Sequence, residues 1–442
     1  MQHPPLPCDL LVTAGVVVTQ DDARTVLREA ALAIRNGRIE ALGPVGEVTA
    51  GYAPAETLDL SGCLVTPGLI NTHTHAAMTL FRGLCDDAPL LTWLSEHIWP
   101  AEAKLTAEAV RLGTLLACAE MLASGTTCFL DAYLFVEAVA DAAEASGMRA
   151  VVCQGVFEIE NAGFKTVEAA FASSAALADR LSGHDRLRAA IFPHAVYTCS
   201  AKTLARAAAF ASERGLLLST HAAETAREND DCHKANGARV IPYLDSLGLL
   251  GPRTLLAHGV DLTPAEMARL AATGTGVAHC PKSNMKLASG IAPVHALRQA
   301  GVTVGLGTDG AASNNALNLF SEMGTAALLQ KVGTGDPTAL AAEAALDMAT
   351  RDGGAAIGWP ELGRLCVGGP ADLCALDLSR PQLAPGLDPV SDLVYAAGGG
   401  EVVCTMVAGR LLYRNGRFAD LDYSGLLAAF REAAGRISGR AT

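Results

Sequence analysis

The chain has few aromatic residues, fewer basic than acidic residues and no long apolar run, and each of these features argues against a class of protein. Only 5% of its 442 residues are aromatic, and 33 Lys and Arg stand against 46 Asp and Glu. The net charge of −13 argues against nucleic acid or an anionic membrane as the main partner. No uninterrupted apolar run reaches the roughly 18 residues that a transmembrane helix requires. The N-terminal stretch lacks the basic region and long apolar run of a signal peptide, so we expect a cytoplasmic protein.

Cysteine is present, but not in a pattern that binds zinc or forms a disulfide framework. The 12 cysteines are scattered, and no two are spaced as CxxC. We expect them to be reduced and buried. No Walker-type loop occurs, which disfavours a nucleotide-phosphate fold. Histidine is scarce, with 11 residues in the chain, so the positions of the few histidines are informative.

The ends of the chain share one sequence pattern. Short β segments are joined by an Asn-Gly turn at 36–37 and again at 415–416, which is a strong hairpin signal. We therefore predict one small β-sandwich domain built from both ends of the chain, over 1–66 and 362–442, with a C-terminal helix. A larger domain, over 67–361, would be inserted between the two parts.

The middle of the chain alternates apolar strands with Ala- and Leu-rich helices. Eight strand-like stretches recur between 63 and 310, and each is nearly all apolar, as expected of parallel strands covered on both faces. Eight such units favour a (β/α)₈ barrel over an open sheet. The predicted fold class is therefore α/β, with a TIM-like barrel as the catalytic domain.

Polar residues stand where the predicted strands end. His73 and His75 close the first strand with one residue between them, so both side chains lie on one face and can share a metal ion. Three later strands also end in polar groups, which are His221 with the nearby Glu224, His258, and Asp309. In a barrel these ends meet at the mouth, where barrel enzymes carry their active sites. Imidazoles with one carboxylate suit Zn²⁺, with iron as the alternative.

The sequence also favours one metal ion over two. A binuclear site needs a bridging anionic ligand, often a modified lysine, but the fourth strand offers His194, and Lys202 lies beyond it. A single metal with an open position would lower the pKa of a bound water. Glu224 is then free to transfer protons, which indicates hydrolysis at an sp² carbon with an amine leaving group.

These residues carry a resemblance to a known family. The stretches are PGLINTHTHAAMTLFRGLCDD, WPAEAKL, PHAVYTCS, HAAET, AHCPKSNMKLASG and GLGTDGAASNNALNLFSEM. In this order they resemble the amidohydrolase superfamily and, more closely, the methylthioadenosine/S-adenosylhomocysteine deaminases. The resemblance spans the whole barrel and extends to the flanking β segments. It implies a metal-dependent hydrolytic deaminase that acts at C6 of the purine.

The resemblance also implies a role for each site residue. One divalent metal would be held by His73, His75, His221 and Asp309. Glu224 would deliver a proton to N1 of the purine, His258 would orient or deprotonate the attacking water, and Asp309 would help pass a proton to the departing ammonia. Glu102 would bind the ribose hydroxyls, and His194 would contact the substrate.

One feature expected from the resemblance is missing. An arginine for the homocysteine carboxylate is expected after the third strand, where the sequence has Gln154 and Lys165 but no Arg. We therefore expect 5′-methylthioadenosine as the substrate, with S-adenosylhomocysteine, adenosine and 5′-deoxyadenosine as alternatives. The expected partner is this small nucleoside, and we expect a homo-oligomer.

Two other functions stay open on the sequence alone. Another aminohydrolase of the superfamily would act on guanine, cytosine or a triazine. Glu224 and Asp309 favour deamination, however, and Glu102 favours a nucleoside over a free base. A catalytically dead scaffold would have lost metal ligands, and all of them are present. His279 and Ser283, at the end of the seventh strand, are either packing residues or substrate contacts.

Overall fold

The structure, a computed structural model, describes residues 4–439, and over that range it contains two sheets of eight strands. The strands are β1 (Leu6–Val18), β2 (Val26–Arg35), β3 (Arg38–Pro44), β4 (Tyr52–Pro67), β5 (Leu69–Thr74), β6 (Thr126–Tyr133), β7 (Arg149–Val156), β8 (Leu187–Pro193), β9 (Leu217–Ala222), β10 (Thr254–His258), β11 (Gly276–His279), β12 (Val304–Leu306), β13 (Leu373–Asp377), β14 (Val402–Val407), β15 (Arg410–Arg414) and β16 (Arg417–Phe418).

Helices connect and flank these strands. The α-helices are α1 (Val45–Gly51), α2 (Leu90–Thr92), α3 (Trp99–Glu102), α4 (Ala107–Ala123), α5 (Val136–Ser146), α6 (Val167–Arg180), α7 (Ala201–Arg214), α8 (Ala226–Asn236), α9 (Val240–Ser246), α10 (Pro264–Thr273), α11 (Pro281–Lys286), α12 (Val294–Gln299), α13 (Ala311–Asn314), α14 (Leu319–Thr334), α15 (Ala342–Ala349), α16 (Arg351–Ala356), α17 (Pro389–Ser391) and α18 (Tyr423–Ser438). Short 3₁₀ segments cover Ala76–Phe81 and Pro381–Leu383, and π segments cover Trp93–Ile98 and Asp392–Ala396.

The first sheet is built from both ends of the chain, as the sequence predicts. Its order is β16-β15-β14-β13-β4-β1-β2-β3, so β4 joins the two ends. Because β4 pairs in parallel with β1 and antiparallel with β13, the strands form one continuous mixed sheet. Asn36 and Asn415 take positive φ at the two predicted hairpin turns, and so do the glycines after them, as a type I′ turn requires. The domain boundaries at 67 and 361 stay a prediction, and residues 1–3 and 440–442 of those ranges lie outside the described residues.

The second sheet is parallel and follows chain order from β5 to β12. Its two outer strands also meet, because the Asp309 N–H donates to the His73 carbonyl oxygen (3.0 Å). The Thr72 hydroxyl donates to the carbonyl oxygen of Leu306 (2.9 Å). This close approach requires Gly307, since a Cβ at that position would lie 2.9 Å from the carbonyl oxygen of His73. The sheet thus closes on itself, which confirms the predicted (β/α)₈ barrel.

The inside of the barrel is a packed core rather than a pore. Seven of its eight strands contribute to one buried apolar cluster, which includes Ile70, Leu130, Val151 and Phe192. All twelve cysteines are free, as predicted, and nine are buried. Among residues 4–439, every helix is too short or too polar to cross a membrane. A cytoplasmic location and a homo-oligomeric state stay predictions.

The predicted C-terminal helix is present as α18, and it packs on the barrel. Its residues Leu426, Ala433 and Ile437 share a buried cluster with Val110 of α4. The Lys104 ammonium, just before α4, donates to the carbonyl oxygen of Ile437 at 3.1 Å. The helix therefore packs the last described part of the chain against the barrel.

A buried ion pair also joins the barrel to the C-terminal strands. Arg149, the first residue of β7, donates from Nε and Nη2 to the Asp372 carboxylate, at 2.6 and 3.2 Å. Arg149→Ala would leave this carboxylate buried without its cation. We expect the free energy of unfolding to fall by about 3–5 kcal/mol, measured by chemical unfolding. As the control, Arg436→Ala removes an exposed pair with Glu432 and should change it by less than about 1 kcal/mol. Equal effects of the two substitutions would contradict the role of Arg149.

Candidate metal and active site

Three of the predicted histidines form a compact group at the barrel mouth. His73 and His75 extend from the end of β5 with their ring centroids 4.8 Å apart. His221, the second-last residue of β9, has its ring centroid 5.1 Å from that of His73 and 5.4 Å from that of His75. One nitrogen from each ring can be chosen so that all three lie within 4.8 Å of one another. These three residues could therefore hold a metal ion, and imidazole nitrogens are common ligands of Zn²⁺.

Asp309 joins this group from the other side of the barrel seam. Its Oδ1 lies 3.6 Å from Nε2 of His73 and 3.3 Å from Nε2 of His75. Its Oδ2 accepts hydrogen bonds from the hydroxyls of Ser283 (2.6 Å) and Ser313 (3.0 Å). The two serines therefore fix the carboxylate with Oδ1 towards the histidines. Ser283, which the sequence left as a packing residue or a substrate contact, supports Asp309.

The donor atoms fit a bound divalent metal. Three ring nitrogens of the group have no hydrogen-bond partner among the described residues, namely both nitrogens of His73 and Nδ1 of His221. Burial lowers the pKa of His73 to about 4 and that of His221 well below its ordinary value, so both rings are neutral and offer a lone pair. Nδ1 of His75 lies 2.6 Å from the Ala132 carbonyl oxygen, which leaves Nε2 for an ion. Three imidazoles and one carboxylate are a donor set that Zn²⁺ accepts.

Glu224 and His258 face each other beside these donors. Oε2 of Glu224 lies 3.8 Å from Nε2 of His258, and Nδ1 of His258 lies 3.0 Å from Oδ1 of Asn284. Burial raises the pKa of the Glu224 carboxyl, against the opposing effect of His258. For His258, burial works in the lowering direction, but the charges of Glu224 and Asp309 outweigh it and raise the pKa. Both groups are therefore candidates for proton transfer to a ligand in the site.

The backbone is strained at two of these positions. His258 has φ +77° and Asp309 has φ +60°, in the left-handed region that side-chain-bearing residues rarely adopt. Each such residue costs about 1–3 kcal/mol, and such strain is concentrated at functional sites. Both residues stand at the ends of barrel strands, where the strain turns their side chains towards the mouth.

A pocket opens over this group, and its wall includes the two remaining predicted residues. His194 has its ring centroid 4.7 Å from that of His221, and its Nδ1 lies 2.9 Å from the Thr198 hydroxyl. Glu102 accepts a hydrogen bond from the Tyr133 hydroxyl at 2.7 Å. Burial raises the pKa of Glu102 to about 7, while the Tyr133 hydroxyl acts in the lowering direction.

The charge of the pocket wall is one-sided. Four acidic residues line it, which are Glu102, Glu160, Glu224 and Asp309. No Lys or Arg is found among the described residues of this wall. A ligand carboxylate would therefore have no Lys or Arg partner in this part of the described chain.

Not every predicted candidate reaches the pocket, and some supporting residues were missed. His279 is fully buried and is absent from the wall of the pocket, so the structure does not support it as a substrate contact there. Lys202 is exposed in the first turn of α7, consistent with the predicted helix start. The sequence reasoning did not find Tyr133 or Asn284. Tyr133 ends a predicted strand, and that position could have indicated a residue of the site. No sequence pattern indicated that Asn284 would contact His258.

Comparison with known proteins matches residues 64–412 to the amidohydrolase family. The chain is 50% identical over 426 residues to a 5-methylthioadenosine/S-adenosylhomocysteine deaminase of Nitratidesulfovibrio vulgaris (strain DSM 19637 / Miyazaki F), which covers 96% of this chain and 97% of the relative. It is 42% identical to a 5′-deoxyadenosine deaminase of Methanothermobacter thermautotrophicus, over 89% of this chain and 93% of the relative. Among solved structures, it is similar to an adenosine deaminase from Xanthomonas campestris with bound zinc, with a TM-score of 0.96, 40% identity, and coverage of 99% of this chain and 100% of that one.

The role of the histidine group can be tested by metal analysis. His73→Asn removes one ring from the three, so we expect metal affinity to fall at least about tenfold. The metal content of the purified protein, measured by plasma mass spectrometry after dialysis, gives the result. His194→Asn is the matched control, because His194 lies beside the group but bonds to Thr198, and it should keep the wild-type content. Full metal content in His73→Asn would contradict its assignment as a ligand.

Proposed function

The chain belongs to the amidohydrolase family, and from that premise we propose that it is a metal-dependent deaminase of adenosine derivatives. Water replaces the amino group at C6 of the purine, and ammonia leaves, with 5′-methylthioadenosine as the preferred substrate. One observation carries the proposal: a group of three histidines and one aspartate shares its pocket with a separate buried carboxyl, that of Glu224. The names of the relatives that are 50% and 42% identical support it.

The proposed cofactor is one divalent ion, zinc in the first place and iron as the alternative. Its proposed ligands are His73, His75, His221 and Asp309. The buried ring nitrogens without protein partners support this set, as does the similarity to a zinc-bound adenosine deaminase. When bound there, such an ion acts as a Lewis acid and lowers the pKa of water.

The proposed proton transfers use three side chains with different environments. Glu224, whose pKa is raised by burial, donates to N1 of the purine as C6 is attacked. His258, which Asn284 orients, directs the attacking water and assists its deprotonation. Asp309 passes a proton to the amine as it departs. One proton of the water reaches the departing ammonia through Asp309, and the other returns to Glu224 as the C6 oxygen becomes a carbonyl, so the side chains return to their starting states.

The substrate preference rests on the rest of the pocket wall. The Glu102 carboxylate can accept hydrogen bonds from two vicinal ribose hydroxyls, and the Tyr133 hydroxyl fixes its position. The homocysteine carboxylate of S-adenosylhomocysteine would meet no Lys or Arg among the described residues of the wall, and it would meet the charge of Glu160. The uncharged methylthio group requires no such partner, which favours 5′-methylthioadenosine.

A substrate panel tests the proposed function. Methylthioadenosine, S-adenosylhomocysteine, adenosine, 5′-deoxyadenosine and guanine are offered to the metal-loaded enzyme, and the absorbance change on deamination is followed. We expect kcat/KM for methylthioadenosine to exceed that for S-adenosylhomocysteine at least about tenfold, because a desolvated carboxylate without a partner is costly. Glu224→Gln, purified in the same way, should bind metal but show no turnover.

Three outcomes of the panel would count against the proposal. Equal kcat/KM for methylthioadenosine and S-adenosylhomocysteine would contradict the substrate preference. Turnover of guanine alone would favour the alternative function, an aminohydrolase of the same superfamily that acts on guanine. Absence of turnover with every adenosine derivative would overturn the proposed function.

The role of Glu102 predicts a pH dependence of KM. With a pKa of about 7, its carboxyl is largely protonated near pH 6 and ionised near pH 8. The ribose hydroxyls donate to the ionised form, so KM for methylthioadenosine should fall as pH rises through 7. Glu102→Gln should raise KM about tenfold at pH 8 and flatten its pH dependence, measured by initial rates. A wild-type slope that persists in Glu102→Gln would assign the titration to another group.

A further inference from the structure

Helix α8 begins at Ala226, two residues after Glu224, and its first turn contains a second buried carboxyl. The Thr225 hydroxyl accepts the Glu228 N–H at 3.0 Å, as an N-cap does. Oε2 of Glu228 in turn accepts the N–H of Glu224 at 2.7 Å. The Glu228 side chain is more than nine-tenths buried, and it lines a second cleft that adjoins the first pocket at Glu224. The carboxylate of Glu228 thus holds the main chain of the proposed proton donor.

Helix α10 offers an internal comparison, because Glu266 occupies the same position after its N-cap Thr263. There Oε2 of Glu266 accepts the N–H of Thr263 itself at 2.7 Å, the ordinary reciprocal cap. The charge of Glu266 is paired with Arg239 at 2.9 Å. Glu228 reaches one residue further, to Glu224, and so it contacts the main chain of a site residue rather than only that of its own helix cap.

The surroundings of Glu228 differ from those of an ordinary cap in charge as well. The basic residues Arg227 and Lys234 of α8 pair with Asp231, not with Glu228. Burial, and then the charge of Glu224, raises the pKa of Glu228 to about 7. Helix capping alone does not require a buried carboxyl without a basic partner, since burying an unpaired charge is costly.

The main chain before Glu224 is already held on its other side. Ala223 has φ +52°, and its carbonyl oxygen accepts the N–H groups of Val260 (2.8 Å) and Asp261 (3.0 Å). The strand therefore turns sharply between His221 and Glu224. The hydrogen bond from the Glu224 N–H to Glu228 fixes the residue that follows this turn.

We propose that Glu228 is a positioning residue for the deamination, which fixes the backbone from which the Glu224 side chain extends. The inference rests on the proposed role of Glu224. Glu228 is absent from the wall of the first pocket, and its carboxylate bonds to the main chain of Glu224, so its proposed effect on the reaction passes through Glu224. A displacement of a catalytic group by about 1 Å can lower the rate about a hundredfold.

Three substitutions separate this role from simple stabilisation. Glu228→Ala removes the acceptor, and we expect kcat for methylthioadenosine to fall at least about tenfold with KM within about twofold. Glu228→Gln keeps an oxygen that can accept the Glu224 N–H, so kcat should stay within about threefold of wild type. Amide hydrogen exchange over 222–228 should be faster in Glu228→Ala and unchanged in Glu228→Gln. Glu266→Ala, the matched capping control, should lower Tm and leave kcat unchanged.

The outcomes distinguish this inference from the proposed function. Unchanged kcat and unchanged amide exchange in Glu228→Ala would overturn the inference. Equal losses of kcat in Glu228→Ala and Glu228→Gln would also overturn it, because they would indicate that the charge of Glu228 matters rather than the hydrogen bond. If Glu228→Ala does not fold, Glu228→Asp is used in its place, because the shorter side chain also removes the contact with the Glu224 N–H. Its kcat should then lie at least about tenfold below that of Glu228→Gln. Wild-type protein that deaminates no adenosine derivative would contradict the proposed function, while amide exchange at Glu224 still tests the contact itself.

Discussion

The hydrogen bond between the Asp309 N–H and the His73 carbonyl oxygen, across the seam of the barrel, is the contact on which the site depends. It joins the last barrel strand to the first, and it brings the single carboxylate to 3.3 Å from His75 and 3.6 Å from His73. Gly307 makes the approach sterically feasible, since a Cβ there would contact the His73 main chain. A shift of one residue at this seam would separate the two halves of the proposed metal site, although both strands would remain paired.

Around this seam, burial and neighbouring charges give two carboxyl groups opposite properties. Burial acts in the raising direction for Asp309, but the imidazoles of His73, His75 and His258 hold its pKa well below the ordinary range. For Glu224, burial prevails and the pKa is raised. One carboxyl is thus ionised and able to bind a cation, while the other can hold a proton. A pocket that separates pKa values in this way can assign an acid and a base to different residues.

Much of the fold could be predicted because it depends on local patterns. Apolar strands that alternate with helices mark the barrel, and two Asn-Gly turns mark the composite sheet. The strand-end residues His73 and His221 could be predicted to lie close together, since the ends of all barrel strands meet at one mouth. Supporting contacts could not be predicted in this way. Asn284 binds His258 through the position of α11, and Glu228 has the sequence spacing of an ordinary cap, so only the folded chain reveals its contact with Glu224.

A titration of metal-free protein with Zn²⁺ tests most directly whether one ion in this four-residue group supports the reaction. Deamination of methylthioadenosine and bound zinc are measured together after each addition. One ion per chain predicts that activity rises in proportion to bound zinc and stops rising at one equivalent. Activity in the metal-free protein, or activity that appears only as a second equivalent binds, would contradict the account.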